Sequence, residues 1–157
     1  MVAKKLDDGQ AAWLTHALKQ LNLFSHLNMD ELNWLLDSFN VWSFKKGAAI
    51  INKGDRGDFF GVVYSGSLEV WVPKVAIPVI GGFWRNRIAV LGKGEYFGEM
   101  ALIRDEPRSA NISALEATTF FALYKKAMDF LVKKNATAEM RLKELIEERD
   151  AQRRWQR

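Results

Sequence analysis

The stretch Gly94-Glu95-Tyr96-Phe97-Gly98-Glu99-Met100-Ala101-Leu102-Ile103-Arg104-Asp105-Glu106-Pro107-Arg108-Ser109-Ala110 is the most informative part of this 157-residue chain. Gly98 lets the backbone approach another group tightly, because it has no side chain to keep that group away. Glu99 to Ile103 is long enough for one short helical turn, whose first amides point outward without intrahelical partners. Such a turn attracts an anion. Arg108 follows a proline, which restrains the chain, and precedes Ser109 and Ala110, two small residues whose amides can also face an anion. A guanidinium beside unpaired backbone amides is a phosphate cradle. Glu99, an acceptor only when ionised, suits a sugar hydroxyl rather than the phosphate. A phosphate and a sugar hydroxyl together point to a nucleotide.

The chain around this stretch divides into three regimes, with no repeat and no low-complexity linker. From about Gln10 to Phe39 the apolar residues recur at helical spacing: Trp13, Leu14, Ala17, Leu18 and Leu21, then Leu32, Leu35, Leu36 and Phe39. Asn28 with Glu31 has the form of a capping box opening the second helix. At Val41 the period changes to the alternation of strands, with Trp42 and Phe44 between polar neighbours. Gly54-Asp55, Ser65-Gly66 and Lys93-Gly94 are turn signals. Gly61–Tyr64 and Leu68–Val72, on either side of Ser65-Gly66, read as a hairpin. Ser109–Leu115 and Thr118–Tyr124 supply further strands. After Lys125 the helical period returns in Met128 and Leu131, then in Ala138, Leu142, Leu145 and Ile146. Many short strands with regular turns predict a sandwich, roll or barrel. The expected fold class is therefore α+β, mainly β, with helices on both sides in sequence.

Composition narrows the chemistry. Cysteine is absent, which removes disulfides, thiolate nucleophiles and cysteine-ligated metal sites. Two histidines, His16 and His26, cannot build a three-histidine centre and offer little to a serine-histidine-acid triad. Both sit in or beside helical segments, where a satisfied structural histidine is the plain reading. The tryptophans, spaced like the helices and strands that carry them, read as core. Cupin-type jelly rolls need several strand histidines, and residues 41–124 have none. No enzyme and no metal are expected. The opening MVAKKLDD has no apolar core of a secretion signal, and no run of residues suits a membrane helix. A cytoplasmic address fits. The net charge of +4 sits in the tail, where basic residues alternate with Glu144, Glu147, Glu148 and Asp150. That pattern describes a solvated helix better than a reader of nucleic acid.

Residues 97–110, FGEMALIRDEPRSA, resemble the phosphate-binding cassette of the cyclic nucleotide-binding domain family, a pattern close to F-G-E-x-A-L followed by P-R and small residues. Gly47 after Phe44, Gly54-Asp55 with Phe59 soon after, Ser65-Gly66-Ser67-Leu68, and Leu91 with Gly94 extend the resemblance over roughly Leu23 to Ala136. The resemblance implies an antiparallel β-roll, or jelly roll, with N-terminal helices and two C-terminal helices that move on binding. Its layout here would be a helical region 1–40, a roll 41–124 and trailing helices 125–157, forming one domain over 1–157. It implies that Glu99 holds the ribose 2′-hydroxyl and Arg108 the exocyclic phosphate oxygens. Backbone amides of Gly98, Met100, Ala101, Ser109 and Ala110 would complete the cradle, the Ser109 hydroxyl would meet phosphate or base, and Ile88 and Ala89 would wall the base. The ligand is then cyclic AMP or cyclic GMP, with cyclic AMP favoured, and no separate cofactor. A scaffold of the same fold without a ligand, with Arg108 and Glu99 as a structural ion pair, is the alternative.

Two features lie outside that pattern. Family members usually attach this module to a kinase, a channel or a helix-turn-helix reader, and no such effector is read in these residues. Pro73 to Arg87 is longer and more apolar than a plain hairpin tip, with Val75, Ile77, Val79, Ile80, Phe83 and Trp84 close together. It would dock a protein partner or a second copy if exposed, or fold back on the roll. The tail stripe Leu142, Leu145 and Ile146 is too short for a lasting coiled coil, so the last helix is expected to pack on the roll. Arg141, Arg149 or Trp155 would then be available to stack on a base.

Overall fold

A computed structural model describes residues 4–21, 23–77, 82–99 and 106–155, with side chains apart from those of 74–77, 82–84, 149 and 152–155. Among the described residues, helix α1 (Asp8–Lys19) and α2 (Met29–Ser38) precede eight strands, and two helices follow them. The strands are β1 (Asn40–Phe44), β2 (Ala49–Ile51), β3 (Phe59–Ser65), β4 (Leu68–Ile77), β5 (Gly82–Leu91), β6 (Tyr96–Phe97), β7 (Asn111–Ala114) and β8 (Thr118–Tyr124). Helix α3 (Lys125–Lys134) and α4 (Ala136–Trp155) close the chain. The strands form two antiparallel four-stranded sheets, ordered β1-β8-β3-β6 and β2-β7-β4-β5. This is the expected mainly-β roll with flanking helices.

Strand β8 shows what holds the layers together. Phe120 and Ala122 point into the apolar cluster between the sheets, with Val63, Leu68, Phe97, Ile112 and Ala114. Phe121 and Leu123 point the other way, into a cluster shared with Leu14, Leu18, Leu35, Met128, Leu131, Ala138 and Leu142 of the four helices. A strand buried on both faces loses its polar alternation, and the sequence of β8, TTFFALY, is nearly all apolar for that reason. The first sheet is thus a shared wall between the roll and the helices. Leu142 is buried and Leu145 partly buried in the helical cluster, so α4 packs on the roll through the short stripe read from the sequence.

The helix starts follow local rules. Asn28 and Glu31 form the expected capping box of α2, and Asp7 with Gln10 forms a second one at α1. Asn135 joins α3 to α4: its Oδ1 accepts from the Ala138 amide at 3.0 Å, while its amide nitrogen donates to Glu31 of α2.

The Ser65-Gly66 hairpin does not form. β3 pairs with β6 and β8, whereas β4 pairs with β5 and β7, so Ser65-Gly66 carries the chain from one sheet to the other. Gly66 has φ +90°, and a Cβ there would lie 2.4 Å from the Ala117 carbonyl oxygen and the Thr118 hydroxyl. Thr118 holds the corner, accepting from the Ser67 amide at 3.2 Å with the Ser67 and Glu116 carbonyls within reach of its own proton. Turn chemistry with alternating flanks is common to a hairpin and a sheet-to-sheet corner, which only the distant partner strands distinguish. The long hairpin is β4–β5, running from the Leu68–Leu91 pair to the Ile77–Gly82 pair. Pro73 to Arg87 therefore belongs largely to two strands. The side chains of Val75, Ile77, Val79, Ile80, Phe83 and Trp84, on which the partner reading rests, lie outside those described.

Gly61 faces the Phe97 ring, and a Cβ at this position would come within 2.3 Å of it. Gly61→Val should cost about 2–3 kcal/mol by forcing Phe97 out of place. Urea unfolding followed by circular dichroism should record a lower midpoint; an unchanged midpoint would show that Phe97 does not occupy this position.

Candidate functional site

The site grows from a backbone clasp. The Gly54-Asp55 turn reaches the end of the cassette: the Gly54 amide donates to the Arg108 carbonyl at 2.8 Å, and the Arg108 amide donates to the Asp55 carbonyl at 2.7 Å. Arg56 and Pro107 form an isolated antiparallel bridge beside them. These bonds anchor the main chain of Arg108 before its side chain makes any contact.

The Arg108 side chain is half-buried and turns towards β3 and β6. Its Nη2 donates to the Phe59 carbonyl at 2.8 Å, and the guanidinium carbon lies 5.0 Å from the centre of the Phe59 ring. Burial lowers the pKa of this guanidinium, and the nearby carboxylates of Asp58, Glu99 and Asp55 oppose that shift. An arginine remains charged under such a shift. The molecule thus keeps a cation partly out of water, with three acidic neighbours around it.

Gly98 makes the approach feasible. It has φ +79°, and a Cβ there would stand 2.8 Å from both the Arg108 Nη1 and the Phe59 carbonyl oxygen. Any larger residue would be strained by its backbone angle and would push against the guanidinium. Glu99, next in the chain, is buried at 9% exposure. Gly98, Glu99 and Arg108 therefore come together, although Glu99 and Arg108 are nine positions apart. Ser109 is exposed and Ala110 is half-buried where the chain enters β7. Met100 and Ala101 lie outside the described residues, as do 102–105.

On the opposite sheet, Ala89 pairs with Val70, and Val70 packs against the cluster between the sheets. Ala89 thus belongs to the inner face of the roll. Ile88, beside it, is 57% exposed. Across the roll, the other wall is aromatic: Trp42, Phe44, Phe59 and Phe120 stack in near-parallel planes, with Phe97 edge-on to Phe59 and Phe120. The participation of Asp58 and of the Phe59 carbonyl was not read from the sequence. Asp58 lies fifty positions before Arg108, and no local pattern marks it. Among the described residues, no group of histidine, aspartate and glutamate could hold a metal ion, and no helix is long and apolar enough to cross a membrane.

Comparisons with known proteins bear on the family of the chain. A cGMP-dependent protein kinase of Eimeria tenella is 32% identical over 126 residues, 80% of this chain and 12% of the kinase. A cAMP-dependent protein kinase regulatory subunit of Candida albicans is 30% identical over 115 residues, 73% of this chain and 23% of the subunit. The chain therefore spans less than a quarter of the length of either relative. Among solved structures, the regulatory domain of Toxoplasma gondii PKA with cAMP superposes with a TM-score of 0.69 at 27% identity, covering 81% of this chain and 46% of that one. The sequence model of the cyclic nucleotide-binding domain matches residues 41–135, from β1 through the end of α3. With a two-sheet roll, a glycine-glutamate pair and a clasped arginine in the matched region, the chain belongs to the cyclic nucleotide-binding domain family.

Proposed function

We propose that this chain is a sensor module, a single domain over 1–157, that binds a cyclic nucleotide and signals through its trailing helices rather than by catalysis. The observation that carries this reading is the half-buried Arg108 guanidinium set against Gly98 and the buried Glu99. A preorganised cation next to a glycine suits an anion that must come close to backbone. In this reading Arg108 clamps the exocyclic phosphate oxygens and Glu99 accepts from the ribose hydroxyl. The amides of Gly98, Met100, Ala101, Ser109 and Ala110 line the phosphate, and Ile88 with Ala89 walls the base.

We favour cyclic AMP as the ligand. Ile88 and Ala89 offer apolar surface and no side-chain donor or acceptor, which suits adenine better than guanine with its exocyclic carbonyl and amine. The relatives include kinases named for each nucleotide, so the choice of base rests on this wall. The competing reading, a scaffold without a ligand, draws on the bond from Arg108 to the Phe59 carbonyl, which gives the arginine a structural task. Titration calorimetry with both nucleotides separates the two. Heat and saturation with cyclic AMP are expected, with weaker binding of cyclic GMP; no heat with either up to millimolar ligand would favour the scaffold.

Arg108→Leu should weaken cyclic AMP binding by about 2–5 kcal/mol, because the phosphate would be left in the pocket without its charged partner. That corresponds to roughly one and a half to four decades in Kd. Glu99→Ala should weaken binding less, since it removes a hydroxyl contact and leaves the cradle. Equal affinity of the wild type and Arg108→Leu would refute the assignment.

The signalling half of the proposal concerns α4. Arg141 of α4 lies in a cleft of about 260 Å³ with Gln20, Leu21, Phe60, Tyr96 and Glu144, on the helical side of the first sheet. The other two candidates for stacking on the base, Arg149 and Trp155, have side chains outside those described. Among the described side chains, Ile146 is the last buried apolar residue of α4, and in this reading a modest difference in affinity suffices to move the helix. Amide exchange from Ala136 onward should slow when cyclic AMP is added, and a chain cut after Asn135 should bind more weakly. Identical exchange with and without ligand would leave a pocket that does not signal through this helix.

A further inference from the structure

The two faces of β5 carry different chemistry. Leu91 and Ala89 pair with Leu68 and Val70, whose side chains enter the cluster between the sheets. The outer face holds an ion-pair cluster. Glu69 of β4 is 4% exposed, and its carboxylate accepts from Arg85 Nη1 at 2.9 Å on one oxygen and from Arg87 Nε at 2.8 Å on the other. Arg87 Nη2 lies 2.6 Å from the second oxygen as well. To reach Glu69, Arg85 lies across the Trp71 indole, 3.9 Å from the ring centre, and that indole donates to the Ser113 hydroxyl of β7 at 3.0 Å. Burial works to raise the pKa of the Glu69 carboxyl, and the hydrogen bonds and charges of Arg87 and Arg85 outweigh it, holding it below its ordinary value.

The cluster sits where the β4–β5 ladder is irregular. Val70 pairs with Ala89, but the next residue, Trp71, pairs with Arg87, so Ile88 is the extra residue of a bulge. Regular pairing would set Ile88 opposite Trp71 on the outer face and Arg87 opposite Val72, on the face of Val70. A one-residue slip exchanges the faces of every side chain beyond it. The charge-assisted bonds to Glu69 form only in the bulged register, since they require Arg85 and Arg87 on the outer face. Glu69 therefore opposes the register that would turn the Arg87 guanidinium into the roll.

We propose that Glu69 is a positioning residue for the base-contacting wall: by clamping Arg85 and Arg87 on the outer face, it holds the bulge that keeps the Arg87 guanidinium off the inner face, where Ala89 lies. This rests on the reading of the roll as a cyclic nucleotide pocket. It makes base recognition, and not phosphate recognition, depend on an ion pair on the far side of the sheet.

Glu69→Gln and the conservative Arg87→Lys test it with two readouts. The first is amide exchange without ligand. Glu69→Gln should speed exchange at 87–90 by about tenfold while Thr118–Tyr124 stays protected, and Arg87→Lys should change little. The second is the ratio of affinities for cyclic AMP and for the base-free ribose 3′,5′-cyclic phosphate. Glu69→Gln should reduce that ratio by about tenfold, through weaker cyclic AMP binding with the base-free compound unaffected. Equal losses for both compounds, an unchanged ratio, or faster exchange spread evenly over the chain would overturn the proposal. If Glu69→Gln does not fold, Arg87→Gln carries the same test, because Arg85 keeps Glu69 paired. If the wild type binds neither compound, the cyclic nucleotide reading falls, while unchanged exchange at 87–90 would separately reject the clamp.

Discussion

The structure turns on one awkward requirement: a guanidinium must be kept half out of water, at the edge of the space between two sheets, and remain charged there. Arg108 satisfies it through partners that are far apart in sequence. The Gly54-Asp55 turn clasps its main chain, the Phe59 carbonyl and ring hold its side chain, and Gly98 supplies the gap into which it fits. Phe97, just before Gly98, is seated in the core between the sheets against the bare backbone of Gly61. The packing of the roll and the placement of the cation are therefore coupled. Disturbing Phe97 would move Gly98, and moving Gly98 would displace the guanidinium.

The same sheet that bears this site on its inner side is covered by the helices on its outer side. Phe59 and Phe120 face the roll interior while Phe60 and Phe121 face α1 to α4, so adjacent residues of β3 and β8 link the inside of the roll to the helices. The joint between α3 and α4 is tied into this layer by Asn135, which caps α4 and also bonds Glu31, itself half of the α2 capping box. A shift at the site thus has a short physical route to the last helix, through packed side chains and a side chain that serves two helices at once.

How much could be read in advance depended on the range of the interaction. Thr118–Tyr124 was legible as a strand, and the Asn28–Glu31 box as a helix start, because both are written in consecutive residues. The approach of Gly98, Glu99 and Arg108 to one another was legible because the three lie within one short stretch. Ser65-Gly66 misled, since a corner between sheets and a hairpin share the same local chemistry and differ only in strands elsewhere in the chain. Asp58 and Glu69 were invisible for a similar reason. Each is an ordinary charged residue whose role depends on arginines brought to it by the fold, and Arg85 and Arg87 lie on the Glu69 face of β5 only because both lie beyond the Ile88 bulge.

The central claim is that the Arg108 guanidinium is the anion-binding group of this domain. Nitrogen-resolved NMR of the arginine side chains during titration with cyclic AMP observes that group directly. The account predicts that the Arg108 guanidinium signals shift saturably and become coupled to the phosphorus of the bound nucleotide, while those of Arg85 and Arg87 stay near their ligand-free positions. Saturation of the protein with cyclic AMP while the Arg108 signals remain unmoved and uncoupled would contradict it.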